Sequence, residues 1–304
     1  MTDLTLRSAR RPAVLSVALT LLLAACSSAG PSTEPSGGAQ ASADTTASPS
    51  EAPPNFVLVA IGDSIPYNLE DDCPGCTGFV DSYAAALEAE LGEPVAVINR
   101  SRHDGAQTSD ILEQLAEEDR LLNELASADV IIMSVGFNDQ PPFGQTHEGC
   151  PERVAESDSL ETAVQRAVET SQECMDSVME EIRAQYVEVL EAIRAQAPDA
   201  AIAALTSYDS WLGWSALDAV DEATRNALYD TARYWQQQWR EAMCAEAEEV
   251  GAVCIDLYSA FNGPDGTDPP ADFVAADYTH PSQEGNDVIR DLLVEANLTE
   301  GMGS

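Results

Sequence analysis

Phe56-Val57-Leu58-Val59-Ala60-Ile61-Gly62-Asp63-Ser64 is the stretch that decides the fold. Its apolar run lacks the alternation of a strand with one wet face, so it reads as a parallel strand buried on both sides. It stops at a glycine, an acid and a hydroxyl, the chemistry of a turn. Outward from it, Phe79 to Leu91 reads as a helix, with Gly92 in the position where a C-terminal glycine belongs. Val95 to Ile98 is a second strand, Ser109 to Ala126 a helix, and Val130 to Val135 a third strand. Met175, Val178, Met179, Ile182, Tyr186, Val189, Leu190 and Ile193 then fall at three- and four-residue steps, one apolar stripe on a long helix. Ala201 to Leu205 is a fourth strand, Asp221 to Val250 a helix, Ala252 to Ile255 a fifth strand, and Ser282 to Ala296 a last helix. Strand and helix alternate throughout, which predicts an α/β fold with a parallel five-stranded sheet and helices on both faces. There is no internal repeat, and one domain over 55–300 accounts for the pattern.

The N-terminus reads differently. Arg7, Arg10 and Arg11 precede an apolar run from Ala13 to Ala25. A membrane-spanning helix needs about 20 such residues, so a basic segment with a shorter apolar one reads as an export signal over 1–25. The run ends Leu23-Ala24-Ala25-Cys26, which resembles the lipobox of bacterial lipoproteins. That resemblance implies acylation of Cys26 as the first mature residue, with an extracytoplasmic, membrane-anchored location. An ordinary signal peptide that happens to end at a cysteine is the alternative. Residues 26–54 are mostly Ser, Thr, Ala, Gly and Pro, too poor in apolar surface to offset their ordering entropy, and read as a flexible linker.

The chain has 304 residues, 53 acids against 14 basic residues, and a formal net charge of -39. Every basic residue is Arg, which excludes any chemistry that needs a lysine: a phosphate-loop NTPase, a kinase or a Schiff-base enzyme. The acidic excess also argues against a nucleic-acid partner, whose affinity rests on Arg and Lys. Beyond Cys26 stand Cys73, Cys76, Cys150, Cys174, Cys244 and Cys254. An even number outside the cytoplasm suggests disulfides, and loop closure favours near neighbours. The expected pairs are Cys73–Cys76, Cys150–Cys174 and Cys244–Cys254. A redox motif or half a zinc knuckle at Cys73-Pro-Gly-Cys76 is the alternative, with no second CxxC to complete it.

In an open parallel sheet, ligands gather at the carboxyl ends of the strands. The first strand ends in Gly62-Asp63-Ser64. The second leads into Asn99 to Gly105, and the third ends in Gly136-Phe137-Asn138-Asp139. Asp277-Tyr278-Thr279-His280 precedes the last helix. A hydroxyl, a glycine, an amide and an Asp/His pair therefore belong on one rim. In this order and register the chain resembles the SGNH, or GDSL-type, hydrolases, with Ile65 where many members carry Leu. The resemblance implies a three-layer α/β/α sandwich with a flavodoxin-like sheet and a serine esterase or lipase that needs no cofactor. It implies Ser64 as nucleophile, with Asp277 and His280 completing a triad. Gly105 and Asn138 would form an oxyanion hole with the Ser64 amide.

The chemistry asks for the same residue types. A serine hydroxyl needs a base to take its proton, a histidine base needs an acid to fix its tautomer, and the developing oxyanion needs donors already in place. Blander readings exist for each: Ser64 as a cap, Asp277 and His280 as surface turn residues, Asn138 and Asp139 as a turn. Asp63 and Asp139 read as loop-shaping, and His103 and His147 as loop residues. No pair of histidines has metal-ligand spacing, so no metal is expected. Trp211 and Trp214, in a loop after the fourth strand, either cover the core or wall a substrate pocket. The substrate expected is a small-molecule, glycan or lipid ester of short to medium acyl length, with strong anions disfavoured by the surrounding charge and the protein a monomer. A lipid-anchored binding protein using the same cleft without turnover is the reading from another class.

Overall fold

Successive side chains of the first strand leave it on opposite sides, and both sides are covered. Leu58 and Ala60 pack into one apolar layer, Val59 and Ile61 into the other, all with no exposed surface. The computed structural model describes residues 56–155 and 157–300; the leader, Cys26 and the linker read from the sequence lie outside them. In chain order the elements are β1 (Phe56–Gly62), α1 (Ser64–Tyr67), α2 (Phe79–Leu91), β2 (Val95–Asn99), α3 (Thr108–Glu117), α4 (Asp119–Leu125) and β3 (Val130–Ser134). Then come α5 (Leu160–Glu169), α6 (Gln172–Gln196), β4 (Ala201–Leu205), α7 (Glu222–Glu249), β5 (Val253–Ile255), α8 (Leu257–Asn262) and α9 (Gln283–Glu295). The strands lie in the order β2-β1-β3-β4-β5, and every neighbouring pair is parallel. This is the expected α/β architecture.

One helical layer is built from α3, α4, α6 and α7. Ile111, Leu121, Val178, Ile182, Tyr186 and Trp239 press there against Val59, Ile131 and Ile202. The other is built from α2, α8 and α9, with Phe79, Tyr83, Phe261 and Ile289 against Leu58, Val130 and Leu205. The three- and four-residue stripe read from Met175 to Ile193 is the buried face of α6, apart from Met179, which is only partly buried. Ser159, Ser171, Asp221 and Ser282 each cap the helix that follows by accepting a backbone N–H.

One sequence expectation is corrected, and one unassigned stretch is filled. The helix expected over 109–126 is two helices, broken at Glu118. Leu115 and Leu121 both face the same core layer, yet six residues along a continuous helix would turn them about 240° apart. The break restores the phase. The stretch 160–169, unassigned from sequence, is α5; its Val164 and Ala167 meet Leu217 and Leu228 of a small third cluster. The three cysteine pairs are those expected, Cys73–Cys76, Cys150–Cys174 and Cys244–Cys254. No helix of the described residues is long and apolar enough to cross a membrane.

Gly62 closes β1 at φ 148°, and a Cβ there would stand 1.9 Å from the carbonyl oxygen of Ser134. Only glycine lets the ends of β1 and β3 approach this closely, and the Asp63 N–H then donates to that same oxygen at 2.9 Å. The two strand ends leave the sheet side by side. Among the side chains under the sheet, Trp239 is fully buried, edge-on to Tyr186 at 5.5 Å and stacked on Trp235 at 6.4 Å. Trp239→Ala should lower the unfolding free energy by about 3–5 kcal/mol. Denaturant titration checks this, and an unchanged midpoint would place the packing load elsewhere.

Candidate active site

Three loops from distant parts of the chain meet beyond the carboxyl end of β1. Asp63 caps α1, its Oδ1 accepting the Ile65 N–H at 3.0 Å, so the turn that follows presents the Ser64 side chain. Ser64 is nearly buried, with 8% of its surface exposed. The turn before α9 carries Tyr278 at φ 56°, and Asp277 Oδ1 gathers the backbone N–H groups of Thr279 and His280 at 3.0 and 3.1 Å. That turn folds the His280 ring back onto its own acid: Nδ1 lies 2.6 Å from Asp277 Oδ2, and Nε2 lies 2.9 Å from Ser64 Oγ. A carboxylate at Nδ1 puts the ring proton there. Nε2 is then an acceptor for the Ser64 hydroxyl.

The electrostatics follow from the same contacts. Burial alone would raise the Asp277 carboxyl, but the His280 ring and the two backbone donors hold it below the ordinary carboxylate value. Burial alone would lower His280, but the bond to Asp277 and the charges of Asp277, Asp72 and Asp63 hold it above the ordinary 6.5. Asp72 was not singled out from sequence. It sits just before the Cys73–Cys76 bridge, and its Oδ2 is 3.5 Å from His280 Nε2. Its neighbours Glu70 and Asp71 are acids too, so no sequence signal separates the one that reaches the histidine. Asp72, Asp277 and His280 form the one group of metal-type donors within 4.8 Å among the described residues. The close Nδ1–Asp277 and Nε2–Ser64 contacts already occupy both ring nitrogens.

Gly105 and Asn138 come from the next two strand ends, and the two loops are stitched together. Gln107 Nε2 donates to the Asn138 carbonyl at 2.8 Å, Asn138 Nδ2 to the Ala106 carbonyl at 3.0 Å, and Thr108 donates through N and Oγ1 to the Asp139 carboxylate. Burial pushes the Asp139 carboxyl up to about 7, against the pull of the Thr108 donors. It pushes Asp63 up to about 7 as well, against the Ile65 N–H. Both acids shape loops, as expected. Gly105 holds φ 75°, a conformation a side chain would strain. The N–H groups of Ser64 and Gly105 donate to nothing among the described residues. Asn138 Nδ2 donates only to Ala106 among the described residues, which leaves one of its two hydrogens unspent there. His103 lies against Tyr67 and His147 against Glu181, outside this constellation.

Gly105, Asn138 and Asp277 line a cavity of about 290 Å³, whose wall also includes Phe143, Trp211 and Trp214. Both tryptophans are therefore on the cavity wall, and both also pack against the small third cluster. Lining a cavity and covering apolar surface are compatible for these two side chains. Arg153 and Tyr208 on the same wall were not singled out; only their position in loops at the strand ends could have pointed to them.

Residues 60–288 match the family described as GDSL-like lipase/acylhydrolase. Among solved structures, the lipase Lip_vut3 from goat rumen metagenome is 19% identical with a TM-score of 0.59, over 80% of this chain and 98% of that one. An extracellular lipase from Streptomyces rimosus is 17% identical with a TM-score of 0.51, over 80% of this chain and 100% of that one. No curated protein sequence matches the chain. These likenesses to solved structures carry the fold.

Asp72 faces Nε2 and favours the charged ring, so removing its charge should lower the His280 pKa. With only three histidines in the chain, an NMR titration resolves this one. The ring should titrate above 6.5 in the native protein and at a lower pH in Asp72→Asn. Identical titrations would show that Asp72 is screened from the ring.

Proposed function

Because the chain belongs to the GDSL-like lipase/acylhydrolase family, a family of ester hydrolases, we propose that it cleaves carboxylic esters through Ser64, His280 and Asp277. The observation that carries this reading is the unbroken line Ser64 Oγ–His280 Nε2 and His280 Nδ1–Asp277 Oδ2, at 2.9 and 2.6 Å. It joins residues 216 positions apart, a separation at which a merely local turn contact has no part.

In the proposed reaction Ser64 Oγ attacks the ester carbonyl carbon while its proton passes to His280 Nε2. Asp277 holds the imidazolium that forms. The carbonyl oxygen takes up the negative charge and is met by the Ser64 and Gly105 N–H groups and the free hydrogen of Asn138 Nδ2. Each such donor is worth roughly 3–4 kcal/mol in the transition state. Collapse breaks the bond to the alcohol, whose oxygen leaves with the proton from Nε2. Water then repeats the sequence on the acyl-serine and restores Ser64. A base held above 6.5 is neutral, and so able to act, only towards neutral and alkaline pH.

The cavity beside Asp277 supports esters of modest size, of short to medium acyl length, with Trp211 and Trp214 as an apolar wall. The lipobox-like end of the leader supports an acylated Cys26 and residence on the outer face of a membrane, with residues 27–54 as the tether. Mass spectrometry of the N-terminal peptide from native envelopes tests this. A diacylglyceryl-modified Cys26 is expected, and an unmodified mature terminus elsewhere removes the anchor.

Hydrolysis of 4-nitrophenyl esters over a series of acyl lengths tests the catalytic reading. Ser64→Ala and His280→Ala should each lose about a thousandfold or more in kcat while keeping the native melting transition. Activity within tenfold of the native protein in either folded variant would reject the triad.

A further inference from the structure

Arginine is the only cationic side chain type in this chain besides its three histidines, and acids surround it almost everywhere. Each other described guanidinium has a carboxylate within reach, as in Arg100–Glu124, Arg102–Asp104 and Arg240–Asp256, or, for Arg194, a set of backbone carbonyls. Arg153 is the exception among the described residues. It spends Nε on the Phe143 carbonyl at 3.1 Å, and no acceptor among the described residues meets its two terminal nitrogens. It also lines the cavity described above.

The position is built. The Arg153 carbonyl accepts from Arg166 Nη1 at 2.7 Å, and the next N–H, of Val154, donates to the Pro142 carbonyl at 2.9 Å. The Cys150–Cys174 bridge ties the same loop to α6. From Phe143, which the Nε bond reaches, a row of rings runs back towards the reactive end. Phe143 lies 5.4 Å from Trp211, Trp211 5.6 Å from Trp214, and Trp214 6.1 Å from Tyr278, the neighbour of Asp277. Gln140, Ser210 and Gln236 add polar groups to the same lining.

We infer that this cleft selects esters whose body is a ring bearing a carboxylate: the ring lies along Trp211 and Trp214, and the carboxylate is held end-on by the two free nitrogens of Arg153. This rests on the esterase reading for the place of the ester bond, at the Ser64 end. With Nε committed, the two terminal nitrogens still present a parallel pair of donors that matches a carboxylate. Flat aromatic faces with amide and hydroxyl groups beside them suit either a pyranose or an aromatic ring. The net charge of -39 opposes the approach of any anion, but salt screens that field over about 8 Å at physiological ionic strength. The contact with Arg153 acts well inside that range. The general expectation that anions are disfavoured therefore concerns encounter, and the cleft reverses it for a carboxylate at one place.

The test uses the full-length protein and ligands it cannot hydrolyse. Calorimetry compares methyl glucuronoside with methyl glucoside, and benzoate with benzamide, so that each pair differs in charge and the two pairs differ in the ring. In at least one pair the carboxylate should bind roughly tenfold tighter, as charge-assisted pairing implies, and the favoured pair names the ring. Arg153→Gln should erase that difference, while Arg153→Lys, a point charge without the fork, should keep part of it. Equal binding within both pairs, or a difference that survives in Arg153→Gln, would overturn the inference. Hydrolysis of 4-nitrophenyl acetate by the native protein separates the two claims: its absence removes the esterase reading, and lost discrimination removes the role of Arg153.

Discussion

Burial of a parallel sheet on both faces is the constraint from which the rest of this molecule follows. Parallel strands can be joined only by crossovers, and the crossovers put helices over both sides. The strand ends are then the one place where polar backbone and side chains can emerge together. Because every neighbouring pair is parallel, the turns after β1, β2 and β3 open on the same rim. Gly105 and Asn138 line one cavity with Asp277, whose turn holds His280 against Ser64, although no local sequence relation links these residues. The Asp277–His280 turn reaches the rim from the chain's other end because α9 packs on the layer beneath it.

The rim is held by polar bonds whose partners cannot drift. Asp139 grips the start of α3 through Thr108, while Gln107 donates to the Asn138 carbonyl and Asn138 to the Ala106 carbonyl, so that bonds run both ways between the two loops. This fixes where unspent donors point before any ligand arrives, which is the condition for electrostatic stabilisation at little reorganisation cost. The surrounding acids then act on the histidine. Asp277 orients it and, together with Asp72 and the deeper Asp63, favours the charged ring, the form that the proposed reaction passes through.

The architecture was legible because its signals are redundant. Phe56 to Ile61 and Val130 to Val135 are too uniformly apolar for one-sided strands, and the stripe on α6, from Met175 to Ile193, repeats over about five turns. The rim motifs were legible because strand ends are where chemistry must sit, so four short motifs gained meaning from register. What escaped reading depends on three-dimensional phase or on choice among equals. The break at Glu118 is required by where Leu121 must point, which appears only once the layer beneath exists. Asp72 is one of three consecutive acids. Arg153 looks like any other arginine until the others are seen to have a carboxylate or, for Arg194, a set of carbonyls, and it is seen, among the described residues, to spend only Nε, on a backbone carbonyl.

The central claim is that Ser64 is activated by His280 at the end of β1. Its most direct test is covalent: treat the native protein with a fluorophosphonate and map the adduct by peptide mass spectrometry. One phosphonyl group per chain on Ser64, with none on His280→Ala, is the result predicted. A native protein that takes no label, or takes it on another serine, would contradict the account.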